Sequence, residues 1–205
     1  GAAIAALGTT GGDREVAAQA RAALDRALAG GPALDPTMAS SIVRVAAEHG
    51  DERLYDALAA AASRATVPEE RYLYLYAAAG FRDPALVDRG LRASLTTEIR
   101  SQDTVRYLAA FFANSTARSR AWSFVKVNWT ALEPRITVFF GDVRLSQALG
   151  SFCDVDTRDD IKAFFAMHPL PSAARTLDQS LERIDACIAL RQRQTQAVSG
   201  WLAAR

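Results

Sequence analysis

The 205-residue sequence holds only two cysteines, two histidines and two lysines. Each shortage removes a class of function. Cys153 and Cys187 cannot build a disulfide framework, and their separation fits no zinc or redox motif, so they read as small core residues. The histidines, His49 and His168, lie too far apart in sequence for the His-Glu-x-x-His pair of a zinc peptidase. With Lys126 and Lys162 as its only lysines, the chain takes its positive charge from arginine, and 24 basic residues are balanced by 23 acidic ones. No run of one sign appears, which argues against nucleic-acid binding. The longest uncharged apolar stretch, Tyr72 to Phe81, is half of the roughly 20 residues that a membrane helix needs. Gly1 to Leu7 lacks the basic flank and length of a signal peptide. Cytoplasmic and periplasmic or secreted locations both stay open.

What the sequence has in abundance is alanine, the best helix former, while β-branched residues never alternate over a strand length. These features imply an all-α protein. Stop and start signals divide it into ten or eleven short amphipathic segments. One runs from near Asp13 to Ala29 and ends at Gly30-Gly31-Pro32. Asp35-Pro36, Asp51, Val67-Pro68 and Asp83-Pro84 read as caps followed, in three cases, by proline at a first helical position. Later segments start near Asp103, Thr116, Asp142, Thr157, Ser172 and Thr195. Helix pairs recurring about every 32 to 40 residues suggest an α-α superhelix, a HEAT- or armadillo-like solenoid of helical hairpins. No Gly/Ser linker divides the chain, so residues 1–205 are expected to form one domain, although Asn128 to Asp142 is weakly patterned and could hold a boundary.

Candidates for chemistry are few. His49 and His168 each end a helix, where an imidazole complements the dipole. No G-x-S-x-G nucleophile turn is present, and Gly11-Gly12 and Gly30-Gly31 do not continue into a phosphate-binding loop. Glu69-Glu70 and Asp159-Asp160 fall near helix starts, where carboxylates favour the helix over any metal. Tyr72, Tyr74 and Tyr76 alternate by two and are therefore distributed around a helix.

Ala121-Trp122-Ser123-Phe124-Val125-Lys126-Val127-Asn128-Trp129 resembles a signature of the C-terminal helical domain of the aminopeptidase N family of zinc metallopeptidases, which includes the puromycin-sensitive and endoplasmic reticulum aminopeptidases. Flanking matches follow in order: Ala6-Leu7-Gly8, Asp35-Pro36, Gly50-Asp51 with Tyr55, Asp83-Pro84 and Arg100-Ser101-Gln102-Asp103. Beyond the signature come Phe164-Phe165, His168-Pro169, the run from Ala174 to Ile184, and Trp201-Leu202. Leu190 stands where family members often carry tryptophan, and Asp178 where glutamate is common. The resemblance implies a non-catalytic C-terminal domain of a longer peptidase, covering the active-site cavity and gating or binding the peptide substrate. It implies no catalytic residue and no cofactor in this chain, the zinc belonging to a catalytic domain that precedes it. That domain and the tail of the peptide are the implied partners, with self-association once the domain is excised. Arg144, after Gly141-Asp142, resembles a position where an arginine faces the cavity, and is the candidate substrate-binding residue. An independent helical scaffold binding a protein or peptide on its concave face is the alternative, and a hydrolase built on His49 or His168 is a third reading.

Overall fold

Several helix starts follow from capping chemistry written in the sequence, and the exceptions have local causes. The computed structural model describes residues 1–204, in which every regular element is helical. In chain order the α-helices are α1 (Ala2–Gly8), α2 (Arg14–Leu28), α3 (Ala39–Glu48), α4 (Glu52–Arg64), α5 (Pro68–Ala77), α6 (Pro84–Ala93) and α7 (Ser101–Ala113). They continue with α8 (Arg118–Val127), α9 (Trp129–Ile136), α10 (Gly141–Leu149), α11 (Val155–Met167) and α12 (Ala174–Ala203). Short 3-10 turns, Ala78–Gly80 and Pro171–Ala173, follow α5 and precede α12. No helix among the described residues is long and apolar enough to cross a membrane.

Asp13, Asp51, Asp83 and Asp154 each accept a backbone N–H from the first turn of the helix that follows, supplying partners for donors that the helix itself leaves unmet. Pro68 and Pro84 open α5 and α6 at the position where a missing N–H does no harm. Asp35 departs from this pattern. Its carboxylate takes the Thr37 N–H at 2.8 Å together with the Thr37 hydroxyl, closing a local turn, and α3 begins only at Ala39. Asn128 interrupts what reads as one helix through Trp122 and Trp129: its side-chain amide donates to the Phe124 carbonyl at 2.8 Å, ending α8, and α9 starts at the next residue. Thr195 starts no helix, because α12 continues through it for 30 residues.

Two compact units divide the chain, the first comprising 1–96 and 114–120 and the second 97–113 and 121–205. In the first unit α2 packs on α3, α4 on α5, and α1 against both α2 and α3. Leu24, Val45, Leu54, Phe81 and Leu91 are almost fully enclosed there. Tyr55 meets Phe81 with ring centroids 5.2 Å apart, while Asn114 donates to the carbonyls of Ala79 and Phe81. Tyr74 is buried, and the half-buried Tyr72 and Tyr76 rings lie 5.9 Å apart.

In the second unit α10 is the central element, packed against α7, α9 and α12. Its Leu145 and Leu149 are enclosed in a closed core with Tyr107, Phe111, Leu132 and Ile136. Cys153 and Cys187 are not independent core thiols: they form a disulfide, with Cα atoms 5.3 Å apart, that ties the segment before α11 to α12. Their pairing across 34 residues could not be read from motif spacing, since helix packing alone brings the two positions together. Cross-linking a loop of that length contributes about 4 kcal/mol by restricting the unfolded chain. Cys153→Ser is therefore expected to lower the unfolding free energy by about 4 kcal/mol in a urea titration. A reductant should shift the parent midpoint to the same degree and leave the variant unmoved; equal midpoints for parent and variant would contradict the assignment.

Candidate functional site

Arg144 lies on α10, exposed to solvent, and no ion pair among the described residues includes it. Three local features fix its surroundings. Phe139 and Phe140 both adopt positive φ, 51° and 59°, a region that bulky residues rarely enter. Both rings are 80% exposed, so no burial of the rings offsets that backbone strain. Gly141 follows because nothing larger fits: a Cβ there would lie 2.3 Å from the Ile136 carbonyl oxygen and 2.8 Å from Val105.

Asp142 is then buried and accepts from the Ser172 hydroxyl, so the turn before α12 is tied to the first turn of α10. Its carboxylate also suits the positive end of the helix. Arg144 does the opposite. A cation near a helix N-terminus is disfavoured by the dipole, so its position contributes nothing to α10. The Arg144 backbone N–H reaches the Phe140 carbonyl at 3.2 Å, which ties the first turn of α10 to the Phe139-Phe140 segment. An exposed guanidinium that no ion pair among the described residues engages is chemistry suited to a carboxylate.

The two histidines are not brought together. His49 ends α3 in the first unit, and its Nε2 lies 2.8 Å from the Gly8 carbonyl oxygen. His168 ends α11 in the second, its ring 4.5 Å from Phe164 and 5.7 Å from Trp129. Both cysteines are consumed in the disulfide. Glu69 and Glu70 occupy the first turn of α5, where Glu70 accepts from the Tyr74 hydroxyl. Burial raises the Tyr74 pKa first, and the Glu70 charge adds to it. Among the described residues no group of three or more histidine, cysteine or carboxylate side chains is placed to hold a metal ion.

An aromatic cluster that sequence reasoning left as separate fragments gathers in the second unit. Trp122, Trp129, Phe164 and Phe165 meet edge to face or tilted, with centroids 5.2 to 6.0 Å apart. Asp160 closes one side, accepting from the Trp122 indole at 2.6 Å and from Lys126 at 2.5 Å. Asp159 turns away to Arg158 instead. The adjacent carboxylates are thus separated by their partners. The signal was present in the tryptophans and in Phe164-Phe165-His168, but only the meeting of α8, α9 and α11 shows that Asp160 belongs to it.

Partial burial alone would raise the Asp160 pKa; the bonds from Lys126 and Trp122 and the Lys126 charge outweigh it, and the net shift is downward. A carboxyl group with a depressed folded pKa stabilises the fold above its unfolded pKa and loses that contribution as pH falls through the folded value. Asp160→Asn is expected to lose about 1 kcal/mol at neutral pH, the pair being partly exposed, and to show a flatter acid unfolding profile than the parent. Identical profiles would contradict the assigned role.

The family model described as the ERAP1-like C-terminal domain matches residues 1–186. Aminopeptidase M1-C of Oryza sativa subsp. japonica is 32% identical over 134 residues, which cover 63% of this chain and 15% of that protein. Aminopeptidase 2 of Candida albicans is 25% identical over 198 residues, or 94% of this chain and 21% of its own length. Aminopeptidase M1 of Arabidopsis thaliana is 28% identical over 139 residues, with coverages of 67% and 16%. The chain therefore spans about a fifth or less of the curated relatives it matches.

Proposed function

The chain belongs to the ERAP1-like C-terminal domain family, and on that premise we propose that it is the non-catalytic C-terminal domain of a zinc aminopeptidase, covering the active-site cavity and gating the peptide substrate. The relatives bear the name aminopeptidase yet share only a small fraction of their length with this chain, which favours a division of labour. In this reading residues 1–205 act as one functional domain of HEAT-type helical hairpins within a longer polypeptide, and the preceding catalytic domain is its partner.

The donor groups present do not fit zinc. His49 is engaged with a backbone carbonyl and His168 stacks on aromatic rings, while Asp159 and Asp160 are neutralised by Arg158 and Lys126. Metal chemistry is accordingly assigned to the catalytic domain, and no step of peptide hydrolysis is assigned to this chain.

The observation that carries the reading is Arg144, an exposed, unpaired cation at a helix position that the dipole disfavours, beside the Phe139-Phe140 turn. A guanidinium pairs with a carboxylate through two parallel N–H bonds, which suits the free C-terminus of a peptide whose amino end lies in the catalytic domain. Within the intact enzyme, Arg144→Ala should raise KM for peptides with a free C-terminus about tenfold, the value of one charge-assisted interaction. KM for the same peptides amidated at that end should barely move, and kcat should hold for both. Equal effects on acid and amide would contradict substrate-tail binding at this residue.

A further inference from the structure

The first unit has a recess of about 190 Å³ where α2 and α4 end and α5 begins. Small residues surround it. Ala27, Leu28, Ala61 and Ala65 form its apolar wall, and three of these four are alanines, which leave space that larger side chains would fill. Gly30 follows α2 at a φ of 86°, and a Cβ there would meet nothing within 4 Å, so the recess stays open on that side. The buried Tyr74 belongs to the lining as well.

Two opposite charges line this one recess, Arg64 in the last turn of α4 and Glu70 in the first turn of α5. Both are exposed, and each complements the dipole of its own helix. They do not neutralise one another. Among the described residues no ion pair includes either, and Glu70 accepts from the Tyr74 hydroxyl at 3.4 Å, a long bond from a neutral donor. Opposite charges that stay apart around a small apolar space present an anion site and a cation site to a single molecule.

Size and charge together identify that molecule. The volume lies below the roughly 300 Å³ at which sites for drug-sized ligands begin, so the occupant is small. A peptide carries its free ammonium and carboxylate at opposite ends, whereas in a free amino acid a single carbon separates them. The negative end of α4 adds to Glu70 in favouring an ammonium, and a guanidinium takes both oxygens of a carboxylate. The alanine-rich wall suits an aliphatic side chain. We propose that this recess binds a free α-amino acid with an aliphatic side chain, its carboxylate on Arg64 and its ammonium on Glu70. The site belongs to the first unit alone and does not depend on the peptidase reading.

The test is a chemical-shift titration of this whole chain with L-valine, followed at the backbone amides of Ala61, Ala65 and Glu70. Saturable shifts with a Kd in the millimolar range are expected for so small a ligand. N-acetyl-L-valine, which lacks the ammonium, and L-valinamide, which lacks the carboxylate, should each bind about tenfold more weakly or worse. Arg64→Gln and Glu70→Gln should weaken valine to the same degree. Arg64→Gln should also erase the difference between valine and valinamide, and Glu70→Gln that between valine and N-acetylvaline. Ala61→Phe fills the wall and should abolish binding, with circular dichroism showing that the parent helix content is kept. Shifts that never saturate overturn the proposal. Equal binding of valine and valinamide reduces the recess to a cation site, equal binding of valine and N-acetylvaline to an anion site, and either result overturns it. Binding unchanged in Ala61→Phe puts valine elsewhere on the chain and overturns it too.

Discussion

Burial of one apolar face per helix is the constraint on which this structure depends. Apart from α12, the α-helices of the described residues run from 7 to 15 residues, at or below the length that holds itself together in water. Capping by Asp13, Asp51, Asp83 and Asp154 fixes where four of them begin, and contributes on the order of 1 kcal/mol each. That is too little to form a helix without a neighbour. The neighbour matters most at α10, whose Leu145 and Leu149 are wholly enclosed between α7, α9 and α12. Because that seat is closed, the turn leading into it has little freedom: Gly141 must pass the Ile136 carbonyl closely, and Phe139 and Phe140 accept a strained backbone outside.

Local chemistry is legible in a sequence when its partners are near in the chain. The cap at Asp83 and the proline after it lie within three residues of the donors they serve, and the reading of α6 follows directly. Asp35-Pro36 looks the same on paper, but a hydroxyl on Thr37 captures the carboxylate first. Thr195 looks like a helix start, yet propensity across it permits an unbroken α12, and an exposed helix surface imposes no stop. Partners distant in sequence are a different matter. The union of Cys153 with Cys187, the capture of Asp160 by Trp122 and Lys126, and the tie from Ser172 to Asp142 all join residues 30 or more positions apart. Each depends on how helices pack, which periodicity does not specify.

The same distinction governs function. The residues that would do chemistry in a stand-alone enzyme are individually present and individually engaged: His49 with a carbonyl, His168 with rings, and the cysteines with one another. Arg144 is different in kind. It is exposed on α10, and a cation early in a helix gains nothing from the dipole.

The central claim is that this chain controls access to catalysis performed elsewhere. It is tested most directly by the rate at which the catalytic portion alone hydrolyses a series of peptides of increasing length, measured with and without this chain. The account predicts that adding the chain changes the dependence of rate on length while an aminoacyl anilide, too short to reach beyond the zinc site, is cleaved at nearly the same rate. A length dependence unchanged by the chain would contradict it.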